Sequence, residues 1–97
     1  MTEGLDFAHP MSVFMGGSAY NMVRDIANGF LRVSERTFRG YKPGEITDFT
    51  LEAERLLREV RSDQPSLSDT EAIQKRQRRI QRLQQAMTIA NARAHRA

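Results

Sequence analysis

The sequence predicts an all-α fold, and three observations carry that prediction. Residues 68–97 contain neither Pro nor Gly and place apolar side chains at helical spacing. Two earlier stretches, about 18–39 and 48–62, show the same period. Short connectors holding Pro43-Gly44 and Pro65 separate the three. The expected architecture is an apolar N-terminal arm over residues 1–17, then a helical domain over 18–97. Its helices, about 18–39, 48–62 and 68–96, run up-down-up, and the last is long and amphipathic.

The arm is rich in large apolar groups: Leu5, Phe7, Met11, Val13, Phe14 and Met15. Pro10 stops a helix from running through it, and Gly16-Gly17 punctuates its end. Exposed Phe side chains promote association, so the arm is expected to dock on the core or on a neighbouring subunit.

The first helix is expected to start at Ser18, a good N-cap residue, and to continue through Ala19, Met22, Val23, Ile26, Ala27, Phe30 and Val33. Arg36 and Arg39 suit the negative end of a helix dipole, and Gly40 suits the left-handed residue that ends a helix. Asn28-Gly29 is the weak point, because an interior Gly costs about 1 kcal/mol relative to Ala. It marks a close approach or a bend.

Pro43-Gly44 reads as a turn, with the second helix starting at Thr47 or Asp48. Phe49, Ala53, Leu56, Leu57 and Val60 form one apolar face. Leu51 lies off that face. With Thr47 as N-cap, Ile46 and Leu51 stand in the hydrophobic-staple positions. Glu54 and Arg58 form a favourable i,i+4 pair.

The third helix opens on Ser68 to Glu71, an S-x-x-E capping-box pattern. At roughly 100° per residue, Ile73, Ile80, Leu83, Met87, Ala90 and Ala94 cluster on one side. Gln74, Gln77, Gln81, Gln84 and Gln85 fill an adjacent sector. Lys75, Arg78, Arg79, Arg82, Arg93 and Arg96 cover the far side. Two residues break the pattern: Arg76 falls in the apolar stripe and Ile89 in the basic one. The heptad period is compatible with coiled-coil packing. A helix on the order of 42 Å long overhangs its shorter neighbour, which makes Met87, Ala90 and Ala94 an expected partner surface.

Composition narrows the function. Ninety-seven residues make one domain at most, and 39% hydrophobic with 28% charged residues is ordinary for a globular chain. The absence of Cys removes disulfides, thiolate zinc sites and Cys nucleophiles. Glu3 and Asp6 stand where a secretory signal would be basic, so the expected location is cytoplasmic. Residues 71–97 hold seven basic side chains and one acidic, whereas residues 1–70 hold eight basic and eleven acidic. That asymmetry calls for a polyanion or for an acidic protein surface.

Catalytic motifs are missing: there is no H-E-x-x-H, G-x-S-x-G or P-loop, and His9 and His95 lie near the two ends. The expectation is a non-enzymatic interaction or assembly subunit, adaptor or chaperone-like, without cofactor or metal, that forms a homo-oligomer or joins a larger assembly. Its expected contact residues are Phe7, Phe14 and Met15 of the arm, with Met87, Ala90 and Ala94 of the overhang. Arg76, buried or half-buried, is expected to select a partner carboxylate. The alternative is nucleic-acid binding through Lys75, Arg78, Arg79 and Arg82. A membrane is the weakest partner, since the long helix carries no aromatic anchors on its apolar face.

Overall fold

The computed structural model describes residues 12–96, the side chain of Arg96 excepted. It is all-helical: α1 (Ala19–Ala27), a 3-10 helix (Glu35–Phe38), α2 (Pro43–Ser62) and α3 (Thr70–Arg96). No strand occurs among the described residues, and none of their helices is long and apolar enough to cross a membrane. Most of the arm, with Phe7, lies outside the described residues. Its last part is a turn closed by the Gly17 amide donating to Phe14 O at 2.9 Å.

The largest correction concerns the first helix. α1 starts as expected, with Ser18 Oγ accepting from the Asn21 amide at 3.1 Å. It has nine residues and ends at Ala27. Gly29 takes φ +84°. The Phe30 amide then donates to Asp25 O at 2.9 Å and the Gly29 amide to Ile26 O at 3.1 Å, which is the Schellman ending of a helix. Gly29, and not Gly40, is the left-handed stop. Past it the chain is extended: Leu31 and Val33 turn toward the core while Arg32 and Ser34 face outward, the period of two that an extended segment imposes. Phe30, read as a core residue, is 81% exposed.

α2 starts earlier than expected. Pro43 is its first residue, where a fixed φ and a missing N–H are harmless. Glu45 Oε1 accepts from the Lys42 amide at 2.7 Å, one half of a capping box. Ile46 is therefore a buried helical residue and Leu51 is 53% exposed, so the staple does not form. Among the described residues the ion pair within this helix joins Arg55 to Glu52 at 2.8 Å, not Glu54 to Arg58, while Glu59 pairs with Arg24 of α1 at 3.5 Å. α3 is capped by Asp69, whose Oδ1 accepts from the Ala72 amide at 3.1 Å, one residue after the Ser68 that the pattern suggested. Leu67, two residues before that cap, is 93% exposed.

The core joins Met22, Val23, Ile26 and Ala27 of α1 to the apolar face of α2 and to Ile80, Leu83, Ala86 and Ala90 of α3. An aromatic chain closes one end. Phe14 meets Tyr41 edge-on at 5.4 Å, Tyr41 meets Phe38 at 5.1 Å, and Phe38 meets Phe49 at 4.9 Å. The Tyr41 hydroxyl donates to Val13 O at 3.0 Å and lies 3.2 Å from Met22 Sδ.

Two predictions follow from these contacts. Burial, assisted by the Glu45 carboxylate, pushes the Tyr41 hydroxyl up from 10.0 to about 12. A folded pKa raised above the unfolded one means that this stabilisation is full below pH 10 and is lost as pH rises through about 12. In a Tyr20→Phe variant, tyrosinate absorbance should rise near pH 12; a midpoint at the ordinary tyrosine value would contradict the burial. Gly29→Ala should destabilise the fold by about 1–2 kcal/mol through its positive φ, besides placing a Cβ 3.0 Å from Arg82 Cζ. At roughly 4–8 °C per kcal/mol for a domain this size, a thermal melt reads it directly.

Candidate functional site

Three arginines of α3 each donate to backbone carbonyls at the C-terminal end of another element. Arg76 sits near the start of α3. Its Nε donates to Val60 O at 3.2 Å and Asp63 O at 3.1 Å, and its Nη2 to Arg61 O at 2.9 Å, at the end of α2. Arg82 Nη1 donates to Ala27 O, the last residue of α1, at 3.0 Å. Arg93 Nη2 donates to Arg39 O, just past the 3-10 helix, at 2.9 Å. The last carbonyls of a helix lack intrahelical partners and carry its negative dipole end. A guanidinium offers several donors and a permanent positive charge to such a group.

Beside Arg82 lies an open groove of about 450 Å3. Its floor and walls are Ile26, Leu31, Val33, Ala86 and Ile89. Its polar side chains are Arg32, Arg82 and Gln85, and no carboxylate lines it. Early termination of α1 creates this space. With the helix stopped at Gly29, the thin extended segment after it, and not a further helical turn, crosses this part of α3. Gly29 lets the backbone come under the Arg82 guanidinium, since any Cβ there would crowd it. Exposed Phe30 stands between two groove-lining residues, Gly29 and Leu31.

No protein-family model, curated protein or solved structure matches this chain. Among the described residues no cluster of His, Asp and Glu is arranged to hold a metal ion.

The expected contact residues separate. Phe14 is half-buried against Tyr41, and Met15 is 53% exposed. Ala90 is wholly buried in the core, so it belongs to no overhang; Met87 is half-buried against the same core, and Ala94 is exposed. Arg76 is half-buried as expected, but its guanidinium is engaged by the carbonyls of α2. Of the four residues expected to meet nucleic acid, Lys75 and Arg78 are exposed. Arg82 is half-buried and bound to α1. Arg79 is half-buried, and its Nε is buried with no hydrogen-bond partner among the described residues.

The groove residues Leu31, Arg32, Gln85, Ala86 and Ile89 were missed as a group. Their signals were Asn28-Gly29 in the first helix and Ile89 within the basic stripe. At roughly 100° per residue, Arg82, Ile89 and Arg93 fall within about 40° of one another. That azimuth of α3 is a second seam, facing α1 and the segment that follows it.

Arg76→Met should cost about 1.5–3 kcal/mol in chemical denaturation, the usual contribution of hydrogen bonds from a charged group. Arg78→Met, at an exposed position, should stay within about 0.5 kcal/mol of wild type. Equal losses would remove the capping role assigned to Arg76.

Proposed function

We propose that this chain is a non-enzymatic interaction or assembly subunit that self-associates through helix packing. The observation that carries the reading is Phe30, 81% exposed and next in sequence to Gly29 and Leu31, which line an open groove of mixed aliphatic and arginine character. Large exposed apolar groups that are contiguous with a groove are characteristic of association surfaces. The groove's polar lining of two arginines and one glutamine is suited to holding an acidic, apolar-centred surface and offers no general base. An up-down-up course belongs to the same reading. Arg76, early in α3, meets the end of α2, while Arg93, late in α3, meets Arg39, shortly before α2 begins. Coiled-coil-like packing of α3 and a cytoplasmic setting complete it; a chain without Cys asks for no oxidising compartment.

Nucleic-acid binding is the second reading. Lys75 and Arg78 favour it, since both are exposed and neither pairs with a carboxylate among the described residues. The engagement of Arg82 by Ala27 O weighs against it, because each lost phosphate contact weakens binding and its salt dependence.

Light scattering over a concentration series, with and without duplex DNA, separates the two. Self-association predicts a mass that rises above the 11.1 kDa of one chain. It should fall back toward that value in Phe30→Ser and be unchanged by DNA. A single-chain mass at every concentration would overturn self-association, and a mass that grows only with DNA would favour the second reading.

A further inference from the structure

We infer that the groove receives α2 of a second copy of this chain, with Leu51 as the inserted side chain. The proposal rests on the self-association reading and names its two surfaces. Leu51 is 53% exposed on the outer face of α2. Asp48 and Glu54 stand three residues to either side of it, both exposed and without an ion pair among the described residues. Residues three apart are neighbours on a helix surface, so the face reads acidic, apolar, acidic. Arg55, the nearest cation, is tied to Glu52 at 2.8 Å. Arg58 follows about 10 Å further along the axis.

The groove is the complement of that face. Its floor is aliphatic, with Ile89 and Ala86 from α3 opposite Leu31 and Val33. Its charged groups are Arg32, exposed, and Arg82, held in place by Ala27 O. A Leu entering the floor brings Asp48 and Glu54 toward the two guanidinium groups. Charge-assisted carboxylate–guanidinium contacts at the rim of a buried apolar anchor fix the register of an interface. No residue of α2 lines the groove, so knob and socket occupy different parts of one chain. Either copy can supply the knob or the socket, so a single knob-in-socket contact is enough to join two chains.

That geometry gives a complementation test on the full chain. Leu51→Arg removes the knob. Arg32→Glu with Gln85→Glu reverses the socket. All three positions are exposed, and circular dichroism verifies that each variant keeps its helices. Wild type should gain mass with concentration. Each variant alone should associate at least about tenfold more weakly, the loss expected when a buried Leu contact is removed or when carboxylates face Asp48 and Glu54 across the interface. Mixed together, the two should form a 1:1 complex, because each supplies the surface that the other lacks. The pairing is overturned if either variant assembles like wild type, or if the mixture stays at single-chain mass. Wild type remaining a single chain throughout would overturn the self-association reading as well. Assembly that ignores both variants would overturn only this pairing.

Discussion

The fold depends on guanidinium groups that meet the carbonyl ends of other elements. A chain this small has few apolar side chains with which to bury its helix ends, and each C-terminal end leaves four carbonyls without intrahelical partners. α3 answers from two of its faces. Arg76 takes the end of α2, Arg82 the end of α1, and Arg93 the end of the 3-10 helix. Arg76 and Arg93 are seventeen residues apart, so these contacts span on the order of 25 Å of one helix. They set the height at which each neighbour docks, something that aliphatic packing alone specifies weakly. Lysine, with a compact ammonium group, could not reproduce Arg76, which serves three carbonyls from one planar group.

The charge asymmetry of the sequence acquires a structural explanation from this. Part of the excess basic charge of α3 is directed at the negative ends of helix dipoles inside the same chain. The remainder, Lys75 and Arg78 among it, faces solvent. A basic helix read by composition alone looks like a surface waiting for a polyanion. Its arginines divide by azimuth and by what stands opposite them, and a carbonyl end satisfies a guanidinium as well as a phosphate does.

The parts of the fold that were legible are those in which one period rules. The apolar faces of α2 and α3 follow from the 3.6-residue repeat, and Phe49, Ala53, Leu56, Leu57, Val60, Ile80 and Leu83 are buried as that repeat requires. α1 was misread because Phe30, Leu31 and Val33 continue the repeat past Gly29 by coincidence. The backbone there is left-handed and then extended, and the same letters fit a two-residue period. Pro43-Gly44 was misread because Pro serves a turn and a first helical turn equally well. The arginine contacts were visible only as anomalies. Arg76 within the apolar stripe and Ile89 within the basic one were the two residues that a single buried face could not explain, and each marks a seam with a different neighbour.

The groove and the exposed knob share one physical origin. A nine-residue α1 cannot cover a twenty-seven-residue α3, and the extended segment that replaces its missing turns contributes only alternate side chains, Leu31 and Val33. The surface around Ile89 is consequently half-covered and lined by two cations, exposed Arg32 and Arg82, the latter held by Ala27 O. At the other extreme, α2 begins four or five residues earlier than its turn signal suggested, which turns Leu51 from a local staple into an exposed side chain. An apolar group without an intramolecular role and a groove without an intramolecular filler are unfavourable separately in water. They cannot meet within one chain, because α2 is held against the core by its opposite face. The contact between chains proposed above would remove both from solvent, and the carboxylates beside Leu51 and the guanidinium groups beside Ile89 would give it a direction.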